Sequence, residues 1–330
     1  MRAVLTSEAL RALPAMRGRF VRDAMGALAI AALGIVGYFA FPDSLALLTR
    51  LIALALLTLS LDLVVGYCGV ATLGQAALFG AGAYAAGIAC VNGVTEPLSL
   101  IGIGAIAGSV AGLLMGIVML RAHGLAQLVL SIAIVQLFHE AANKASTYTG
   151  GSDGLAGLVV GPLFGIFEFD LWGRTAYLLG VALLVGVFVA LKFVVSSPFG
   201  MLCRGIKEDP IRIRAMGAFV APNLLKMFVI SGFIAGMGGA LAAISTQVVG
   251  LDSVSFELSA NALVMLVLGG IGTLYGAIVG TIIFMGFEHI VSAINPFHWL
   301  TMVGALLIAV VIAAPRGVSG LFDRLWSHRS

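Results

Sequence analysis

Nine stretches of this chain stay apolar for about the length of a bilayer crossing: 24–41, 45–65, 70–91, 98–120, 125–142, 175–195, 224–248, 259–291 and 297–314. A helix needs about 20 predominantly apolar residues to cross the hydrocarbon layer. No water is available there to satisfy backbone N–H and C=O groups, so such runs are forced into helices that close their own hydrogen bonds. The fold class that follows is an all-α, polytopic membrane helical bundle of about 8–10 spans. The stretch 259–291 is too long for one span and is interrupted by Gly269-Gly270-Ile271-Gly272. It therefore predicts two half-helices or two short spans, a broken or re-entrant segment.

Composition closes off the soluble alternatives. Of the 330 residues, 61% are hydrophobic and 10% charged, against about 45–50% apolar and about 25% charged in an ordinary soluble domain. A net charge of +3 gives no electrostatic support to nucleic-acid binding. The three cysteines, Cys68, Cys90 and Cys203, are odd in number and widely separated in apolar surroundings. They read as buried inert thiols, with neither a disulfide framework nor a metal site.

Charge placement sets the orientation. Arg2, Arg11, Arg17, Arg19 and Arg22 precede the first apolar run, and that run ends at Pro42-Asp43-Ser44 without a small-residue cleavage site. It reads as a retained first span with a cytoplasmic basic tail. Nine simple spans would leave Arg316, Arg324 and Arg329 outside. A break within 259–291 returns them to the cytoplasm, where Lys and Arg collect. The expected organisation is a basic tail (1–23), a transmembrane domain (24–315) and a short tail (316–330), with both termini and the loop 196–226 cytoplasmic. The loop 143–174, with Thr149-Gly150-Gly151-Ser152-Asp153-Gly154, is then external.

Glycine is the second pattern. Gly104, Gly108, Gly112 and Gly116 recur every fourth residue, as do Gly272, Gly276 and Gly280, and Gly232, Gly236 and Ala240. Small residues at that period line one side of a helix and let two backbones approach. They predict close helix packing. The glycine-rich stretches 69–87 and 269–280 are also loosely alike.

The loop 196–226 is the one long polar island. It holds Arg204, Lys207, Arg212, Arg214 and Lys226 against Glu208 and Asp209. Glu208-Asp209-Pro210 is a helix-start pattern: Asp209 can accept from free N–H groups, and proline at the first position has none to waste. Gly217 is placed to close the helix in a left-handed turn. A short basic helix on the inner face serves either as a tether or as a docking element for a cytoplasmic partner.

Catalytic chemistry is missing. His123, His139, His289, His298 and His328 sit near span ends or in the tail with no ligand spacing, and no nucleophile elbow, HExxH or phosphate-loop lysine occurs. The chain reads as no enzyme, with no cofactor and no metal. Asp62 is the one clear acid within a span, near its cytoplasmic end. Such a charge either snorkels to the interface or marks an ion-coupled secondary transporter. An almost uncharged centre suits a neutral, zwitterionic or apolar solute moved by energy supplied from elsewhere.

Several motifs then carry a resemblance. The segment Gly66 to Tyr84 (GYCGVATLGQAALFGAGAY), Thr149 to Leu155, Ser197-Pro198-Phe199-Gly200 followed by Ile206 to Pro210 and Ala215-Met216-Gly217, Val267 to Gly276, and Pro315-Arg316-Gly317 occur in this order. Together they resemble the branched-chain amino-acid ABC-importer permeases, LivM type, over about residues 45 to 320. The resemblance implies a permease working with a second homologous permease subunit (LivH type), two cytoplasmic ATPases and a periplasmic solute-binding protein. The setting is lipid, in the bacterial inner membrane. It also implies that the island carries the coupling helix, at the matched positions Lys207, Glu208, Asp209, Ile211, Arg212, Ala215 and Gly217. Gln75, Tyr84, Asn261 and Asp62 are candidates for a polar solute path; as an alternative, such groups only join helices by hydrogen bonds. Three features depart from the family: Asp62 itself, the segment Leu128 to Ile134, and Pro210 after Asp209. Relatives also carry urea, short amides and aromatic acids, so these solutes stay open beside branched-chain amino acids, as do a secondary transporter using Asp62 and a passive solute channel.

Overall fold

The computed structural model describes residues 25–163 and 173–294, with six isolated positions between 301 and 317. The basic tail 1–23 and most of 297–330, the last apolar stretch and the tail after it, lie outside the described residues. So do His298 and His328.

The apolar runs form helices: α1 (Met25–Ala40), α2 (Leu45–Leu61), α3 (Gln75–Val91), α4 (Pro97–Met119), α5 (Leu125–Lys144), α6 (Ser146–Thr149), α7 (Arg174–Ser196), α8 (Pro198–Glu208), α9 (Pro210–Ala215), α10 (Val220–Thr246), α11 (Phe256–Gly269) and α12 (Leu274–Ile294). Six of these are long and apolar enough to cross a membrane, one of them α2 with its continuation to Tyr67. The shorter α1, α3 and α11 are apolar as well. The protein is a multi-pass helical membrane protein.

Its centre is α10, which packs against α4, α3 and α2. The glycine stripes explain how. A Cβ placed on Gly108 would stand 2.7 Å from Gly236 Cα, and one on Gly232 would stand 3.1 Å from Gly112 Cα. Backbone therefore meets backbone along α4 and α10. Where helices gain little from mutual hydrophobic burial, this approach supplies the dispersion contact that holds them. The opposite side of α4 exposes Ile106, Val110, Leu114 and Ile117, as a lipid-facing surface would.

The stretch 259–291 divides as anticipated. Helix α11 stops at Gly269, Gly270 (φ 113°) and Gly272 (φ 85°) turn the chain, and α12 begins at Leu274 and packs back on α11. Only glycine takes these left-handed angles without steric cost. The described ends of the chain come back to the same end of the bundle as α8 and α9: Gly26 lies against Tyr275, and Gly317 against Gly269 and Gly270.

Three local details differ from the periodicity reading. The run 70–91 is not one helix, because Val70–Gly74 is irregular and α3 starts only at Gln75. Its buried donors are met one by one: Leu73 N donates to Ser131 Oγ (2.9 Å), Gly74 N to Thr72 Oγ1 (3.0 Å) and Ala76 N to Ser259 Oγ (2.9 Å). Helix α10 begins at Val220 and ends at Thr246, where Gln247 is left-handed (φ 55°). Val248–Val249 then pairs antiparallel with Leu155–Ala156, a two-residue ladder within an otherwise helical fold.

Candidate functional site

The polar island folds as two helices at right-reading caps. Ser197 Oγ accepts from Gly200 N (3.3 Å) and Pro198 opens α8, a start signal of the preferred type. Helix α8 buries Gly200, Cys203 and Ile206 and packs against α7, α10 and the continuation of α2, Asp62–Tyr67. Asp209 Oδ1 then accepts from Ile211 N (2.9 Å) and Arg212 N (3.0 Å), which starts α9. Gly217 closes it at φ 85°. None of the residues of α9 is buried. Ile211 and Met216 are each 76% exposed and Phe219 is 78% exposed, beside Arg212 and Arg214. A hollow of about 390 Å³ lined by Arg214, Gly217, Phe219 and Pro222 adjoins them. This knuckle combines apolar tips with basic side chains outside the bundle.

All seven matched positions, Lys207, Glu208, Asp209, Ile211, Arg212, Ala215 and Gly217, are exposed. Lys207 also reaches back to the bundle: its ammonium donates to Gly66 O at 2.7 Å. Arg204, one turn earlier, lies 4.9 Å from the centre of the Tyr67 ring. Exposed Met216 and Phe219 were not singled out from sequence, although two large apolar side chains flanking Gly217 in a basic loop were a usable signal.

The candidates within the bundle are not gathered into one lining. Gln75, fully buried at the start of α3, donates through Nε2 to Ser60 Oγ (2.8 Å) and Ser231 Oγ (2.6 Å), and its Oε1 has no partner. It thereby ties α3 to α2 and α10. Tyr84 is nine residues on, about 180° around the helix at 100° per residue. It is 6% exposed, and its hydroxyl has no partner. Asn261 is half-buried on α11, two residues past Ser259. A groove of about 350 Å³ between α7 and α10, lined by Ala182, Gly186, Ala190, Ile230 and Phe233, holds none of the four candidates.

Asp62 does not snorkel. It is 0% exposed, where α2 changes into a π-helix, Asp62–Tyr67. Its Oδ1 accepts from Gly272 N at 2.7 Å, and its Oδ2 has no partner. Lys192, also near this end, places its ammonium 4.2 Å from the Tyr275 ring centre.

The chain matches a known family over most of its length. The family model described as branched-chain amino acid transport system / permease component covers residues 44–312. The chain belongs to that family. Among curated relatives, the permease is 26% identical over 335 residues to the high-affinity branched-chain amino acid transport system permease protein LivM of Salmonella typhimurium, covering 93% of this chain and 77% of the relative. The LivM protein of Escherichia coli (strain K12) matches with the same identity and coverage. LivH of Salmonella typhimurium is 30% identical over 129 residues, 39% of this chain and 42% of the relative. No solved structure matches the permease.

Proposed function

We propose that this permease is one transmembrane subunit of an ATP-driven importer for branched-chain or related amino acids. It works by alternating access with a second homologous permease, two cytoplasmic ATPases and a periplasmic solute-binding protein, in the bacterial inner membrane with both termini cytoplasmic. The observation that carries this reading is the knuckle. A helix of six residues, held by a two-bond Asp209 cap and ended by a left-handed glycine, is too short to be stable alone. It nonetheless presents Ile211, Met216 and Phe219 to the outside. Apolar anchors with basic neighbours suit a groove on a partner protein, where buried apolar tips dominate affinity. The partner proposed is an ATPase whose closure moves the knuckle and rocks the bundle.

For solute, the two serine bonds of Gln75 support the helix-joining role. Tyr84, with a free hydroxyl, and Asn261 are the residues proposed to meet a zwitterionic cargo. The test is co-expression with the second permease and the ATPases. Glu208→Lys with Arg212→Glu releases the ATPases while the permease pair stays together, and uptake stops. Unchanged assembly refutes the docking role. Uphill uptake by this chain alone in liposomes, without nucleotide, refutes the importer.

A further inference from the structure

The six-residue π-helix Asp62–Tyr67 is bonded on two sides to two different elements. On one side, the last turn of α8 reaches it through Lys207 Nζ and Gly66 O at 2.7 Å. On the other, Asp62 Oδ1 holds the N–H of Gly272, in the turn between α11 and α12, at 2.7 Å. The three elements meet closely. A Cβ on Gly66 would overlap the Asp62 carboxylate and stand 2.7 Å from Gly272 N. Gly69, at φ 72°, would place its Cβ 2.7 Å from Lys207 Cγ. Single π turns within α-helices recur at functional positions and cost regular hydrogen bonding. A buried acid with one unpartnered oxygen is also costly in a membrane protein. A purely structural acceptor for one backbone N–H needs no charge, since an asparagine or serine would serve.

We infer that Lys207, Gly66 and Asp62 form the transmission joint of the permease: a displacement of α8 and α9 passes from Lys207 to the Gly66 carbonyl, through the π turn to Asp62, and on to Gly272 at the hinge between α11 and α12. Lys207 and Asp62 are positioning residues here. Lys207 acts through its bond to the Gly66 carbonyl and not through a docking partner, and Asp62 works without touching solute. The inference deepens the importer reading and rests on it.

The test uses the full complex of this chain, its second permease, the ATPases and the loaded binding protein in liposomes. The readouts are solute imported per ATP hydrolysed and ATPase retention on purification. Lys207→Met keeps the stem against Gly69 and removes the donor. We expect the ATPases to remain bound and solute per ATP to fall at least tenfold, with Lys207→Arg restoring most of it. Asp62→Asn keeps the acceptor for Gly272 and replaces the acid by a neutral amide. Its double variant with Lys207→Met is expected to be no worse than the poorer single variant, as members of one chain of contacts are non-additive.

Wild-type import per ATP in Lys207→Met overturns the joint, and so does loss of bound ATPase, which would place Lys207 on the docking surface. Losses that multiply in the double variant overturn it as well. Should Asp62→Asn fail to fold, the Lys207→Met and Lys207→Arg pair still decides. A wild-type complex that imports without ATP refutes the importer reading itself, whatever the variants do.

Discussion

Adding one methyl group at Gly108 tests whether backbone contact between α4 and α10 holds the bundle together. In Gly108→Ala the new carbon would stand 2.7 Å from Gly236 Cα and 2.9 Å from Gly236 N, and nearer still to Gly232 O. These neighbours are backbone and cannot rotate away. Carbon pairs are most favourable at about 3.5–4.0 Å, so the helices must part by roughly 1 Å. A gap of that size forfeits a quarter to a half of each pair's ~0.1–0.2 kcal/mol; with on the order of 30 close pairs along the crossing, the loss is about 1–3 kcal/mol. That agrees with the ~1–3 kcal/mol typical of overpacking.

Three buried thiols, Cys68, Cys90 and Cys203, supply the assay, since a thiol-reactive fluorophore in detergent reports them only on unfolding. Gly102 is the control. It sits on the same helix, and a Cβ there meets nothing within 4 Å. Gly108→Ala is expected to lower the unfolding temperature by several degrees, and Gly102→Ala to leave it within a degree or so of the wild type. Equal shifts for the two variants, or none at Gly108, would refute the claim that small residues are required by close approach.

Three further outcomes follow from the same geometry. Asp209→Ala removes both cap bonds of α9, worth about 0.5–2 kcal/mol for a helix start, so the ATPases should co-purify less well while Asp209→Ser retains them. Gly217→Val forces a β-branched residue to φ 85° at a cost of at least 1–2 kcal/mol; it should weaken ATPase retention with no change in the thiol-unfolding temperature of the bundle. Gln75→Leu removes two side-chain bonds of a kind worth on average about 0.6 kcal/mol each between membrane helices. It should lower thermal stability by about 1 kcal/mol and leave the KM for uptake alone, and a shifted KM at wild-type stability would make Gln75 a solute contact.

What could be read from the chain and what could not divide along one physical line. The glycine stripes, the Asp209–Pro210 start, the Gly217 stop and the break at Gly269–Gly272 are local codes, in which residue type and spacing alone fix the steric or hydrogen-bonding outcome. Each appears in the fold where expected. The start of α8 at Ser197-Pro198 is equally local: Ser197 Oγ accepts from Gly200 N and Pro198 opens the helix. By contrast, the irregular Val70–Gly74 is tolerated because Ser131 and Ser259, brought in by tertiary packing, satisfy its neighbours' N–H groups. No periodicity reveals a donor met from 183 residues away.

Asp62 makes the same point with the sharpest consequence. Its position near a span end suggested a charge reaching for water, because a span end is where snorkelling is cheap. The fold instead closes over it, since the turn at Gly272 delivers an N–H to one oxygen, and Gly66 leaves room for both groups by having no side chain. An acid that could have been solvated at little cost is instead enclosed between the Gly66 carbonyl that Lys207 bonds and the turn at Gly272, which is the ground for proposing that it connects rather than binds.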